Sequence, residues 1–218
     1  MSTVRALAVF DFDGTMIPGD SIVSYLRFAY RRRLLSPAAL LSAALCGIAS
    51  RLGIISAGEA KHRSLRFLQR LSPDDRKQLD DDFATQLAGK IRPAALRQME
   101  NDRAEGRMIV LLSASTDNYM SIVAEQLSAD ALICTRLEDL PAGNCRGAEK
   151  PRRLQAYLDE HAITPDFAAS AAYGDSAGDA PVLALVGHPA LMNPSRRTLK
   201  KLGGRFPVVI WENGKESA

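Results

Sequence analysis

The chain has 218 residues, of which 46% are hydrophobic and 24% are charged, and these proportions exclude a disordered chain. Its length allows one domain, or a core with a smaller domain inserted in it. The net charge is only +3, but residues 17–92 carry thirteen Lys or Arg against seven Asp or Glu, whereas the rest carries fifteen against eighteen. A basic segment on a more acidic remainder favours anionic partners for that segment.

The cysteines and the N-terminus bear on the cellular compartment. Cys46, Cys134 and Cys145 are odd in number and form no CxxC pair, which indicates free thiols in a reducing compartment. The N-terminal segment MSTVRALAVF has no signal-peptide cleavage site, and its apolar stretch leads directly into two aspartates. We therefore expect a cytoplasmic protein, with peripheral attachment at the inner membrane face as an alternative, and no nucleic acid partner.

The predicted elements divide the chain into two parts. Residues 6–12 form a continuous apolar run that predicts a buried strand. Only helical patterns follow as far as Arg92, over residues 21–33, 37–52, 56–71 and 72–90. Beyond Arg92 the pattern alternates, with helices predicted at 93–105, 118–127, 151–161 and 179–186, and strands at 108–112, 131–136, 169–173, 190–192 and 206–211.

This alternation of strands and helices predicts an α/β fold. Helices that connect successive strands imply a Rossmann-like core with a parallel sheet and right-handed crossovers. Residues 1–16 and 93–218 are expected to form that core. Residues 17–92 are expected to form an all-helical cap domain that is inserted after the first strand.

Polar side chains stand at the predicted carboxyl ends of the strands, which is where ligands bind in an open parallel sheet. The residues at the strand ends are Asp11, Asp13, Ser113, Asp175 and Asp179. Lys150 begins the helix between two of these strands. Several carboxylates at one edge need a hard cation, and Mg²⁺ with a substrate phosphate is the usual solution. We therefore expect a metal and a phosphoryl group opposite Asp11 and Asp13.

Four segments in this order, DFDGT, LLSAS, GAEK and GDSAGD, resemble the ordered motifs of the haloacid dehalogenase-like (HAD) phosphohydrolases. The helical insert after the first segment resembles the cap of the subgroup that includes phosphoserine phosphatase, subfamily IB. The resemblance implies a Mg²⁺-dependent phosphomonoester hydrolase that acts through an aspartyl-phosphate intermediate.

The resemblance also implies catalytic and phosphate-binding residues. Asp11 would be the nucleophile, and Asp13 would be the general acid that protonates the leaving oxygen and the base that then activates water. Ser113, the backbone near Ala114 and the ammonium group of Lys150 would bind the phosphoryl group.

The same resemblance implies the ligands of the cofactor Mg²⁺. They would be Asp11, the backbone carbonyl of Asp13, and Asp175. Asp179 would either assist the metal's surroundings or hold Lys150. The three histidines show no ligand spacing.

Two features of the insert leave the substrate open. Asp20 stands where phosphoserine phosphatase has a glutamate that engages the substrate amine, but it can equally cap the following helix. Residues 34–50 carry no charge and lie between three arginines, at 31–33, and Arg51. A buried helix of the insert is the expectation for this segment, and an apolar element with a basic rim that rests on anionic lipid is the alternative.

The expected substrate is a small soluble phosphorylated metabolite. The alternative is a membrane-associated lipid phosphate, similar to phosphatidylglycerophosphate. A phosphomutase or a non-catalytic phosphate-binding module would also account for the motifs.

Overall fold

The computed structural model describes residues 3–211 and contains eight strands in that range. They are β1 (Thr3–Arg5), β2 (Leu7–Phe10), β3 (Met108–Thr116), β4 (Ala131–Thr135), β5 (Ile163–Pro165), β6 (Ala171–Gly174), β7 (His188–Met192) and β8 (Val208–Val209). Six of them form one sheet in the order β4-β3-β2-β6-β7-β8, with all neighbours parallel. The remaining two, β1 and β5, form a small parallel sheet. The outermost residues of the expected core, 1–2 and 212–218, lie outside the described range.

The helices fall into two groups. Between β2 and β3 lie α1 (Ser21–Arg31), α2 (Pro37–Arg51), α3 (Ala57–Leu65), a 3₁₀ segment (Arg66–Arg70), α4 (Pro73–Ala88) and α5 (Pro93–Ala104). Later in the chain lie α6 (Asp117–Gln126), a 3₁₀ turn (Leu137–Asp139), α7 (Glu149–Glu160), α8 (Ala180–Leu183) and α9 (Arg196–Leu202). Helices therefore link the parallel strands, and the predicted α/β, Rossmann-like fold is confirmed. Residues 21–88 hold only helices and their connections.

The central strand β2 is buried on both faces because helices cover both sides of the sheet. Ala8 and Phe10 belong to one apolar cluster, shared with residues of α5, α6 and the insert, whereas Leu7 and Val9 belong to a second cluster, shared with α7 and α8. Side chains alternate between the faces of a strand, so this division follows the strand's period of two. A strand buried on both faces reads as a continuous apolar run, which is the pattern of residues 6–10.

Several predicted boundaries differ from the structure. The small sheet was not predicted, because three-residue strands with exposed side chains give no periodic signal. Helix α1 ends two residues earlier than predicted, and Arg33 there adopts a left-handed φ of 60°. Strand β3 continues through Ser113, which was expected just after the strand, since Thr116 pairs with Thr135 beyond a register shift.

The expectation that α2 is a buried helix is wrong. Ala43 is its one buried residue, whereas Leu41, Leu45 and Ile48 are 62%, 58% and 53% exposed. The helix is apolar on nearly every side, so its sequence has no periodic difference that could show which side faces solvent. Across residues 3–211, no helix combines the length and the apolar character that crossing a membrane requires.

Candidate active site

Neighbouring strands bring two of the predicted carboxylates together. Asp11 follows β2 directly, and Asp175 follows β6, which pairs with β2 in the sheet. The backbone N–H of Asp11 donates to the carbonyl of Tyr173 at 2.9 Å, which extends the ladder to the first carboxylate. One carboxylate oxygen each from Asp11, Asp175 and Asp179 lies within 4.8 Å of the others.

Lys150 neutralises part of this acidic cluster. Its Nζ lies 2.6 Å from Oδ1 of Asp11 and 2.6 Å from Oδ1 of Asp179, and the residue is only 3% exposed. The other oxygen of Asp179 accepts hydrogen bonds from Ser176, at 3.1 Å from its N–H and 2.7 Å from its hydroxyl. Asp179 thus contacts Lys150 and also belongs to the carboxylate cluster, so both roles that the sequence left open for it stay predictions.

The cluster carries more negative charge than Lys150 can balance. Burial and the neighbouring charge of Asp179 raise the pKa of Asp11, and the same two causes raise the pKa of Asp175 to about 7. Burial lowers the pKa of Lys150, but Asp11 and Asp179 outweigh it and raise that pKa overall. Carboxylates that are close together and under-neutralised are hard oxygen donors of the kind that Mg²⁺ prefers. The donor set therefore fits the expected magnesium ion.

Two glycines allow the carboxylates to approach the backbone. Gly14 adopts a φ of +81°, and a Cβ there would lie 2.4 Å from Oδ2 of Asp175. A Cβ on Gly174 would lie 2.4 Å from the Cβ of Asp179. A side chain at either position would displace an acidic residue, which gives a physical reason for glycine in both motifs.

Asp13 lies in a separate hydrogen-bond network on the side of the insert. Its carboxylate accepts from the N–H and hydroxyl of Ser21 at 2.9 and 3.0 Å, and from the hydroxyl of Ser115 at 2.6 Å. The hydroxyl of Ser21 also lies 2.8 Å from that of Tyr119. Burial and the charge of Asp20 raise the pKa of Asp13 to about 6, although the bonds from Ser115 and Ser21 lower it. A carboxyl group with a raised pKa is suited to proton transfer near neutral pH.

The two residues predicted to bind phosphate at β3 differ in their exposure. Ala114 lines the cavity above the carboxylates, and its carbonyl accepts from the hydroxyl of Thr135 at 2.8 Å. Ser113 is fully buried, and its hydroxyl accepts from the N–H of Ser115 at 3.0 Å. In this structure Ser113 therefore supports the last part of β3, which carries Ala114 and Ser115.

A cavity of about 550 Å³ joins the core and the insert above these groups. Asp20 lies at its edge, where its carboxylate accepts from the N–H of Val23 at 3.0 Å and caps α1. The structure thus shows the capping role of Asp20. Residues that line the cavity include Asp11, Asp13, Asp175, Asp20, Ile22, Lys61 and Arg146.

Lys61 is a cavity residue that sequence reasoning missed. Its ammonium group, carried on α3, donates to the carbonyl of Ala114 and to Oδ1 of Asn144 at 2.8 Å. Burial lowers its pKa to about 8. Helix α3 lies close to the core here. A Cβ on Gly58 would be 2.0 Å from the carbonyl oxygen of Pro141, so only glycine leaves room for this approach. Lys61 thus ties the insert to the loop that precedes Lys150.

Arg92 is a second missed residue, at the end of the insert. It is 6% exposed, and its Nε donates to the carbonyl of Thr15 at 3.1 Å, while its backbone N–H donates to the carbonyl of Met16 at 2.8 Å. These bonds support the turn that follows Asp13. In the sequence, the position of Arg92 directly before Pro93, at the end of the predicted cap, was the one feature that could have indicated a role for this residue.

An acidic cluster with a buried lysine, at the carboxyl edge of a Rossmann-like sheet, is the arrangement of an α/β enzyme that handles a charged ligand. Residues 8–184 match the haloacid dehalogenase-like hydrolases, and the chain belongs to this family of hydrolases.

The chain is also similar to individual proteins of known sequence or structure. The chain is 31% identical over 192 residues to Protein CicA of Caulobacter vibrioides, and the match covers 82% of each chain. Its fold resembles that of a Bordetella pertussis protein of unknown function, with a TM-score of 0.83, 23% identity and coverage of 95% and 99% of the two chains. It also resembles a phospho-aspartyl intermediate analogue of phosphoserine phosphatase, with a TM-score of 0.63, 15% identity and coverage of 97% and 95%. The fold is thus that of phosphoserine phosphatase-like HAD hydrolases.

Proposed function

We propose that the protein is a Mg²⁺-dependent phosphomonoester hydrolase that acts through an aspartyl-phosphate on Asp11. The observation that carries this proposal is the position of Lys150, which lies 2.6 Å from both Asp11 and Asp179 at the edge where Asp175 also lies. A lysine at this place offsets the repulsion between a carboxylate nucleophile and a phosphate dianion. Membership of the hydrolase family supports the assignment.

Asp11 and Asp13 divide the chemistry between them in this proposal. An oxygen of Asp11 attacks phosphorus, and the bond to the leaving oxygen breaks as Asp13 donates its proton to that oxygen. Asp13 then takes a proton from water, which attacks the phosphorus of the aspartyl-phosphate and frees Asp11 and inorganic phosphate. The hydroxyls of Ser21 and Ser115 hold Asp13 for both steps.

The proposed metal ligands are Asp11, the backbone carbonyl of Asp13, and Asp175, while Asp179 orients Lys150. Bound Mg²⁺ would supply positive charge that stabilises the phosphoryl oxygens in the transition state. The N–H groups near Ala114, together with Lys150, would bind the same oxygens. Ser113 would contribute its hydroxyl after a change of side-chain rotamer.

Residues 17–92 would act as a cap domain that selects the substrate. The core groups address only phosphate and metal, which every phosphomonoester shares, so discrimination requires contacts from elsewhere. The residues of the insert that line the cavity are Pro18, Gly19, Asp20, Ile22, Ala57, Lys61 and Arg92. A cavity of about 550 Å³ suits a small soluble phosphorylated metabolite. A lipid phosphate is the second candidate, favoured by the exposed apolar side of α2.

A hydrolysis screen tests this proposal. Purified protein should release inorganic phosphate from an aryl phosphate and from some members of a panel of soluble phosphomonoesters. The panel should include phosphatidylglycerophosphate in detergent. Conversion of a sugar phosphate into its isomer without phosphate release would identify a phosphomutase instead, and no turnover of any substrate would leave a phosphate-binding module.

Replacing Asp13 with asparagine should lower kcat by roughly two to four orders of magnitude, because general acid–base help is of that size. The loss in kcat/KM should be smaller for p-nitrophenyl phosphate, whose phenolate leaves without a proton, than for an alkyl phosphate. Steady-state kinetics gives kcat/KM for both substrates, and this constant reports the steps up to formation of the aspartyl-phosphate and not its hydrolysis. The exposed substitution Asp159→Asn on α7 is the matched control, and comparable rates in Asp13→Asn and wild type would contradict the role.

Removing divalent metal should abolish turnover, since the acidic cluster is under-neutralised without a cation. Dialysis against EDTA should eliminate activity, and titration with Mg²⁺ should restore it. Asp175→Asn should raise the Mg²⁺ concentration that gives half-maximal activity. Undiminished turnover after exhaustive chelation would show that these carboxylates serve another purpose.

A further inference from the structure

One side of α2 presents an apolar surface to solvent. Leu41, Leu45, Ile48 and Leu52 are spaced three or four residues apart, so they share one side of the helix and continue into the turn that ends it. They are 62%, 58%, 53% and 70% exposed. Ala43, on the opposite side, is the buried residue that packs against the insert. We call this exposed side the α2 face.

The charged residues that flank the α2 face in the sequence are all arginines. Between Asp20 and Glu59 there is no acidic residue, and the same stretch contains five arginines, Arg27, Arg31, Arg32, Arg33 and Arg51. Three of them directly precede the loop into α2, and Arg51 is its last residue. All four are exposed, and Arg32 forms a salt bridge of 2.8 Å with Asp82. Apolar side chains and cations are therefore presented from the same segment.

We propose that the α2 face, with Arg31, Arg33 and Arg51, docks on an anionic lipid bilayer. A helix that lies in the interface buries its apolar side among the acyl chains while its basic residues contact lipid headgroups. A second copy of this chain is a poorer occupant, since it would bring an equal set of arginines against the first. The helix has 15 residues and is too short to span the bilayer, so it would lie along the surface.

This docking does not depend on the proposed phosphatase activity, because membrane binding is measured without turnover. The protein should float with vesicles that contain phosphatidylglycerol at low salt. It should bind vesicles of phosphatidylcholine alone much more weakly. Added salt should reduce binding to the anionic vesicles, because it screens the arginine–headgroup attraction.

Two sets of variants separate the apolar and the charged contributions. Leu41→Ser with Leu45→Ser should weaken vesicle binding by at least about tenfold. Arg31→Gln with Arg33→Gln and Arg51→Gln should weaken it by about a hundredfold, since each basic residue near an anionic surface adds about a factor of five. The matched controls are Leu185→Ser with Leu199→Ser, and Arg196→Gln with Arg197→Gln and Lys200→Gln, which should leave binding unchanged.

Circular dichroism and thermal melting check that every variant is folded, and light scattering gives the oligomeric state. The proposal is overturned if folded wild-type protein fails to bind anionic vesicles at low salt, or if the control variants weaken binding as much as the α2 and arginine variants. A dimer that the α2 variants dissociate would also overturn it, because the face would then belong to a second copy. Vesicle binding by a protein that hydrolyses only soluble phosphates would still support docking.

Discussion

Replacing Asp11 with asparagine should abolish turnover, with a fall in kcat of at least about 10⁴-fold. Asparagine keeps the size of the side chain but has no carboxylate that can attack phosphorus, so the covalent step is lost. Rapid acid quenching of wild-type protein during turnover should trap a phosphoryl group on the peptide that contains Asp11, detected by mass spectrometry. The same experiment on Asp11→Asn should detect none.

The Asp11→Asn variant should fold normally and melt at or above the wild-type temperature in the presence of EDTA. Lys150 would keep its contact with Asp179, and the substitution would remove one negative charge from a cluster of three carboxylates. Burial raises the pKa of Asp11, which means that the charged form is costly to bury. Correctly folded Asp11→Asn protein with wild-type activity would show that another residue is the nucleophile. Asp159→Asn again serves as the control.

Replacing Lys150 with methionine should both inactivate and destabilise the protein. Methionine fills a similar volume, so the main change is the loss of the cation that Asp11 and Asp179 share. Removing one partner from a buried ion pair costs about 3–5 kcal/mol, because the remaining charge is left without compensation. Urea unfolding in EDTA, compared with the exposed control Lys201→Met, measures the loss in free energy of unfolding.

The destabilisation should depend on pH in a defined direction. Burial raises the pKa of Asp11 in the folded protein, and the charge of Lys150 lowers it. Without Lys150 this pKa should rise further above the value in the unfolded chain, so the folded variant holds a proton that folded wild-type protein has already lost. Stability of the variant relative to wild type is therefore best at acidic pH and is lost as the pH rises through this raised value. A difference between variant and wild type that stays constant from pH 5 to pH 9 would contradict the proposed charge pairing.

The parts of the site that the sequence predicted are those attached to strand ends. Asp11 and Asp175 follow apolar runs directly, and the parallel sheet then brings them together whatever the details of packing. Lys150 was found because it begins a helix between two such strands. The alternation of strands and helices beyond Arg92 could also be predicted from the sequence, since it depends only on local hydrophobic periodicity.

The parts that the sequence did not predict depend on packing between distant segments. Lys61 lies in an ordinary helical pattern, and its role arises only because α3 packs against the loop at Asn144. Ser21 resembles any first residue of a helix until the fold places it beside Asp13. The exposure of α2 was misjudged for a related reason, because a helix that is apolar on nearly every side looks the same whichever side is covered.

The bonds from Ser21 to Asp13 have a consequence for recombining parts of this protein with those of its relatives. Ser21 is the first residue of the insert's first helix, yet its N–H and hydroxyl both contact the proposed general acid of the core. A chimera that exchanged residues 17–92 as a block would therefore replace part of the acid's surroundings along with the specificity elements. A junction placed after Tyr25 would carry Ser21 with the core, and exchange of the following helices would then change substrate choice without altering the proton-transfer residue.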